Sequence, residues 1–142
     1  MAAVLHGPGE GEHHAVGPAE VTIKATANDF FLAEGSLPAK TPGPPPHTHE
    51  KKTDMFFVLE GTLSVLVGDD WQELAPGSFV AAPPGVTHSF RNDGDAPVRF
   101  LNMSTPGGWE RYMRDVAEVM ANEGMSPEVI AELGRKHDVQ FK

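Results

Sequence analysis

Between residues 20 and 105 the chain never runs far without a turn signal: Asn28-Asp29, Gly35, Pro38, Pro44-Pro45-Pro46, Gly61, Gly68-Asp69-Asp70, Pro76-Gly77, Pro83-Pro84-Gly85 and Asn92-Asp93-Gly94. Proline removes a backbone donor and clashes inside a helix, and glycine raises the entropic cost of ordering one, so a long helix has no room here. Short strands fit between the signals. Val21, Ile23 and Ala25 alternate with Thr22, Lys24 and Thr26, the period of a strand with two unlike faces. Further strands are expected at 30–36, 54–59, 62–67, 71–74, 79–82, 87–91 and 97–103. In a chain of 142 residues this predicts one mainly β domain, a barrel or sandwich, over residues 20–105.

The flanks read differently. Residues 1–19 are rich in Gly, Pro, Ala and His, which predicts a mobile or loosely docked arm with His6, His13 and His14 as solvated tail histidines. After Thr105-Pro106-Gly107-Gly108 the pattern turns helical: Trp109, Met113, Val116 and Met120 recur at helical spacing, with Tyr112 and Val119 beside them. Gly124 predicts a helix stop, and Ser126-Pro127-Glu128 a new start with Ser126 as N-cap. Residues 106–142 are thus expected as a helical tail whose apolar face is buried on the outer wall of the barrel or over its mouth.

The chemistry concentrates between Gly43 and Gly61. His47 and His49 are two apart, so in extended backbone both imidazoles share a face, and three preceding prolines favour that backbone. Asp54 opens the apolar run Met55 to Leu59. Two imidazoles and a carboxylate facing one interior suit a divalent metal ion. Glu50 is the alternative carboxylate, but as the residue after His49 it points to the opposite face. Counting by two from Asp54 puts Phe56 and Val58 on the metal face. With Val80, Ala82, Phe90 and Trp109 they form the expected pocket wall, suited to an aromatic or otherwise hydrophobic small molecule. Met55, Phe57 and Leu59 point the other way and are apolar too, which predicts a covered outer face and a homodimer.

A second segment, Gly77 to Asn92, has the spacing G-x5-P-x-G-x2-H-x3-N through Gly77, Pro83, Gly85, His88 and Asn92. Here the chain resembles the cupins, whose second motif has this spacing. Their first motif is G-x5-H-x-H-x(3,4)-E-x6-G, matched by His47, His49 and Gly61. The chain departs from it twice: Asp54 stands in place of Glu, and three residues separate Gly43 from His47 rather than five. The resemblance covers roughly residues 40 to 104. It implies a double-stranded β-helix, or jelly-roll barrel, with C-terminal helices added. It also implies one divalent transition metal ion (Fe, Mn, Ni, Cu or Zn) held by His47, His49, Asp54 and His88. Asp is one methylene shorter than Glu, so Asp54 binds directly from a closer strand or through water. Asn92 reads as structural, its amide serving the adjoining loop.

Within that family the chain is similar to small bacterial members related to quercetin dioxygenase, through its Pro-rich approach to His-x-His, the run Phe56 to Gly61, and the tail Ser104 to Arg111. This implies a metal-dependent dioxygenase acting on a phenolic or enol-like substrate. The alternatives are a non-redox Lewis-acid enzyme (isomerase, cyclase or decarboxylase) and a non-catalytic metal- or ligand-binding protein. Glu50 and Glu60 are the candidate general bases, neither placed at the site by the sequence. If the helix beginning near Trp109 covers the pocket mouth, loss of residues 109–142 is expected to leave metal bound but to cut turnover and raise uncoupled oxygen consumption.

The formal charge of −9 argues against non-specific nucleic-acid binding. The chain has no cysteine, hence no disulfide framework and no thiolate ligand. No signal peptide is read at the start, and no apolar run approaches the roughly 20 residues that span a bilayer. The expected setting is the cytoplasm, with a small molecule and dioxygen as partners.

Overall fold

The computed structural model describes residues 2–142. Eleven strands and two helices follow in the order β1 (Glu12–Val16), β2 (Ala19–Thr26), β3 (Phe31–Leu37), β4 (His47–Thr48), β5 (Thr53–Glu60), β6 (Leu63–Val67), β7 (Asp70–Leu74), β8 (Phe79–Ala82), β9 (His88–Arg91), β10 (Val98–Thr105), α1 (Trp109–Asn122), α2 (Pro127–His137) and β11 (Gln140–Phe141). Two antiparallel sheets face each other, in the orders β1-β2-β3-β10-β5-β8 and β11-β4-β9-β6-β7.

Alternation places the core. Along β5, Asp54, Phe56 and Val58 are buried while Met55, Phe57 and Leu59 are half-buried on the outer side. Phe56 and Val58 meet Leu37, Val98 and Phe100 of their own sheet and Leu63 and Val65 of the other. A second cluster joins Ile23, Phe31 and Ala33 to Trp109 and Val139, tying both ends of the tail to the barrel. Gly43 and Gly61 are among the glycines required by close approach. A Cβ at Gly43 would lie 1.6 Å from the Phe90 carbonyl oxygen, so only glycine lets the Pro-rich segment cross β9 there. Gly61 has φ 79° and would press a Cβ within 2.4 Å of the Pro97 oxygen.

Part of the segment 1–19, expected as a mobile or loosely docked arm, is a paired strand. Residues 12–16 form β1, which pairs with β2 from Glu12↔Ile23 to Val16↔Ala19. Backbone pairing holds this strand, and Arg114 of α1 clasps Glu12 with Nε and Nη2 each 2.8 Å from a carboxylate oxygen. His13 Nδ1 lies 2.9 Å from Thr22 Oγ1, and His14 Nε2 lies 2.5 Å from Glu12 Oε2. The tail differs from its expectation in one respect: after α2 it ends in β11, which pairs with β4.

Both helix starts follow local chemistry. Ser126 Oγ accepts the Val129 N–H at 3.2 Å ahead of Pro127, and Glu110 accepts the Gly108 N–H at 3.2 Å. α1 packs on β1 and α2, and α2 on β11. No helix among the described residues is long and apolar enough to cross a membrane.

Candidate metal centre

His47 and His49 flank Thr48 on β4, His88 opens β9 directly opposite His47, and Asp54 lies near the start of β5 in the facing sheet. All four are buried, and one potential ligand atom from each lies within 4.8 Å of the others. The ring centroids of His47, His49 and His88 stand 4.4 to 5.1 Å apart.

Each imidazole is oriented by its Nδ1. His47 reaches the Pro45 carbonyl at 2.9 Å, His88 the Val86 carbonyl at 3.0 Å, and His49 the Asp138 carbonyl at 2.7 Å. A carbonyl only accepts, so Nδ1 carries the proton and Nε2 presents its lone pair to the interior. His49 Nε2 is buried there without a hydrogen-bond partner, 3.7 Å from Asp54 Oδ2. His88 Nε2 stands 3.1 Å from the same oxygen.

Two acceptors facing each other at that distance call for a cation between them, either a proton or a metal ion. This fits a divalent ion held by three nitrogens and one oxygen, a donor set compatible with Fe, Mn, Ni, Cu or Zn.

The electrostatics agree. Burial and the neighbouring His88 push His47 down to about 4, keeping it in the neutral, ligating form. Burial lowers His88, but its hydrogen bond to Asp54 outweighs this and raises it above the usual imidazole value. Burial would raise Asp54, but the facing imidazoles of His49 and His88 and the Asn102 amide hold its carboxyl well below the ordinary range.

Two of the four side chains, His47 and Asp54, line a cavity of about 320 Å³. His47, Asp54 and Asn102 reach into it, and Phe56, Phe90 and Phe100 form its floor, with ring centroids 5.1 to 5.9 Å apart. α1 closes it with Trp109, Tyr112, Met113, Val116 and Met120. The helix therefore covers the cavity rather than the outer wall. Trp109 stacks on Tyr112 at 4.2 Å, turns its edge to His49 at 5.2 Å, and lies beneath Lys52 Nζ at 4.2 Å.

Of the expected wall residues, Phe56, Phe90 and Trp109 line the cavity, and Val58, Val80 and Ala82 do not. Parity along β5 was read correctly, but depth was not. Each pair of residues descends roughly 6.6 Å, so Val58 passes below the cavity into the inter-sheet core, where Val80 also packs. Ala82 is buried opposite Asp54, too short to reach the cavity. Glu50 and Glu60 are also corrected as candidate bases. Both are exposed, Glu50 donating its backbone N–H to Asp138 and Glu60 pairing with Arg99 at 3.0 Å. Asn92 is wholly occupied by loops, its Nδ2 facing the Leu37, Pro38 and Ala96 carbonyls and its Oδ1 accepting the Gly94 N–H.

Sequence reading missed two residues that touch the ligands. Asn102 donates to Asp54 Oδ1 at 2.7 Å; an amide at an inward position of β10, between Phe100 and Ser104, was the available signal. Asp138 holds His49 from the far end of the chain, so the tail touches one of the clustered imidazoles.

Comparison with known proteins agrees with this geometry. The family profile described as Cupin domain matches residues 33–104, half of the chain. Germin-like protein subfamily 2 member 1 of Arabidopsis thaliana is 39% identical over 74 residues, covering 44% of this chain and 32% of that protein. Quercetin 2,3-dioxygenase of Bacillus subtilis (strain 168) is 29% identical over 72 residues, covering 51% of this chain and 21% of that protein. The chain thus spans a third or less of the length of these two relatives. Among solved structures, KdgF from Halomonas sp. superposes with a TM-score of 0.69 at 17% identity, covering 78% of this chain and 99% of that one. The polyketide cyclase RemF from Streptomyces resistomycificus superposes with a TM-score of 0.64 at 23% identity, covering 74% and 80%. At such identities the structures speak for the fold alone. The matched residues include all four clustered side chains, and by that match the chain belongs to the cupin domain family.

Proposed function

We propose that the protein is a metal-dependent dioxygenase for a small, hydrophobic phenolic or enol-like substrate. One observation carries the reading: a cluster of four convergent side chains, His47, His49, Asp54 and His88, opens through His47 and Asp54 onto a largely apolar cavity of about 320 Å³, large enough for a compact aromatic molecule. A divalent ion bound by His47, His49, His88 and Asp54 would supply a Lewis acid with open positions for a substrate oxygen and dioxygen. In a dioxygenation both oxygen atoms enter the substrate, which itself supplies the electrons, so no further reductant is required.

The chain's own residues do the remaining work. Phe56, Phe90 and Phe100 cradle an aromatic body and direct its oxygen toward the ligands. Trp109, Tyr112 and Met113 exclude water above it, which strengthens electrostatic interactions within. Apart from His47 and Asp54, the titratable side chains of the wall among the described residues are Tyr112 and, at the exposed rim, Glu20. Burial pushes the Tyr112 phenol up to about 12, so it stays protonated and is no base at neutral pH. A wall without a dedicated proton-transfer group supports oxygen chemistry over isomerisation or cyclisation.

The test is turnover of a panel of phenols and enols by metal-loaded protein with an oxygen electrode. The expected result is oxygen uptake matched to substrate loss, absent anaerobically and in His88→Ala. Turnover that persists without oxygen would assign a non-redox Lewis-acid enzyme instead. Saturable binding without turnover under any metal would assign a binding protein.

A further inference from the structure

The three imidazoles are not held alike. His47 and His88 each lean on a carbonyl two residues back along their own strand, Pro45 and Val86. His49 leans on the carbonyl of Asp138, 89 residues away. We infer that the C-terminal residues 138–142 are a working part of the metal centre, with Asp138 as the positioning residue that sets the aim of His49 Nε2.

The geometry is specific. Asp138 caps α2 in the left-handed conformation, with φ 60° and ψ 49°. That turn brings two of its groups onto one loop: the carbonyl accepts from His49 Nδ1, and the carboxylate accepts the N–H of Glu50 at 2.8 Å and of Lys51 at 3.0 Å. β4 is a two-residue strand whose single partner pair on β9 is His47↔His88. β11 supplies its other edge, through Gln140↔Thr48 and Phe141↔His47, with Thr48 Oγ1 donating to Gln140 Oε1 at 3.1 Å and Lys142 N–H to the Pro46 carbonyl at 2.9 Å. α2 is the mount. A Cβ at Gly134 would lie 2.6 Å from the Val139 oxygen, so the returning chain is pressed on the last turn of the helix. A ring pinned at Nδ1 keeps its tautomer and direction, and His49 Nε2 is, with Ser104 Oγ, one of two buried side-chain polar atoms left without a partner among the described residues. Without the Asp138 clamp, the loop after His49 loses both acceptors and the ring is free to turn.

The inference rests on the metal reading above, so the experiment has one readout with metal and one without. Three variants are compared with the full chain. Asp138→Gly keeps the left-handed backbone and loses the carboxylate, Asp138→Asn keeps the backbone and one acceptor, and a third ends at residue 137. In metal-free protein, nitrogen NMR reads the imidazole tautomers and the exchange protection of each Nδ1–H. In loaded protein, competition titration and the visible spectrum of Co(II) read affinity and ligand geometry.

The expected result is a roughly 10–100-fold weaker Co(II) affinity and an altered spectrum in Asp138→Gly, with partial recovery in Asp138→Asn. His49 alone loses Nδ1–H protection while His47 and His88 keep theirs. Wild-type affinity with an unchanged His49 signal in Asp138→Gly overturns the inference. If the unmodified protein binds no Co(II), the metal reading fails, and the His49 signal in Asp138→Gly still decides the positioning role. If the shortened chain does not fold, the Gly and Asn variants carry the decision.

Discussion

Asn102 donates its amide to Asp54 Oδ1 at 2.7 Å, while the other oxygen of that carboxylate faces His88 Nε2 at 3.1 Å. One carboxylate thus has one oxygen fixed by the barrel wall and one turned to the imidazoles. The same amide donates to the Met55 carbonyl at 3.1 Å, so β10 sets the rotation of the Asp54 side chain. Removal of such a supporting partner typically costs roughly 10–100-fold in metal affinity. Asn102→Ala is expected to lose affinity on that scale while the barrel stays folded. A metal competition titration beside thermal unfolding checks this, and unchanged affinity would contradict the role assigned to the amide.

Protonation competes with metal at the imidazoles in a fixed order. His47 is held down to about 4, so it remains neutral through mild acid, whereas Asp54 raises His88 above the ordinary imidazole value of about 6.5. Affinity is therefore expected to start falling above about pH 6.5, led by one proton at His88. Titrations between pH 8 and 5 check this, and a flat profile from pH 8 to 6 would contradict it. The stability of the metal-free fold has opposed contributions. The depressed His47 contributes stability present above about 6.5 and lost as pH falls toward about 4. The raised His88 contributes stability present below about 6.5 and lost as pH rises through its higher value. The two windows meet near the ordinary imidazole value of about 6.5, so metal-free stability is expected to peak there and to fall toward acid through His47 and toward alkali through His88.

The strands and the shared face of His47 and His49 were legible because both follow from parity, whereas His88 was legible only through the resemblance of its segment to the second cupin motif. His47 and His49 share a face by being two apart, and Asp54 and Phe56 do so on β5. Depth was not legible: nothing in the alternation of Phe56 and Val58 says which one stops at a cavity and which continues into packed core. β1 was missed because Glu12 to Val16 is held by backbone pairing and by Arg114 rather than by an apolar face. Asn102 could have been found as an amide among inward residues. Asp138 could not, because it orients His49 through a backbone carbonyl, a group every residue carries.

The cavity makes a size prediction. Val116 is buried on α1 and lines the cavity. Val116→Phe fills space there without touching His47, His49, Asp54 or His88. Metal content is expected to stay at the wild-type level while KM for the larger substrates rises at least tenfold. Overpacking costs about 1–3 kcal/mol, so a lower Tm is expected alongside. An unchanged KM across the panel would show that substrate does not occupy this cavity.

The outer face of the larger sheet bears on assembly. Met55, Phe57 and Leu59 are half-buried on the outward side of β5, and Phe79 is 55% exposed on the edge strand β8 beside it. Apolar side chains on a sheet face next to an open edge suit a second copy of the chain. Light scattering at micromolar concentration is expected to give twice the 15.3 kDa of the chain, and Phe57→Glu to give the monomer. A monomer in the unmodified protein would contradict this.

Trp109 separates two environments. Its ring lines the cavity on one side and, with Lys52, Arg111, Lys136 and His137, a cleft open to solvent on the other. Stacking on Tyr112 and the edge contact with His49 hold it there, and it is 7% exposed. Trp109→Ala removes the partition. Loss of a buried aromatic costs about 3–5 kcal/mol, so Tm is expected to fall clearly. Trp109 contributes no ligand atom, and Asp138 still holds His49 from the other end of the tail, so metal content is expected to remain. Water then enters from the cleft, and under the dioxygenase reading oxygen uptake is expected to exceed substrate loss. Trp109→Phe keeps an aromatic partition at smaller volume and is expected to restore most of the match between the two. Metal content, oxygen uptake and substrate loss, measured together on both variants, separate a water barrier from a packing residue. Matched uptake and loss in a folded, metal-bound Trp109→Ala protein would leave Trp109 with packing alone.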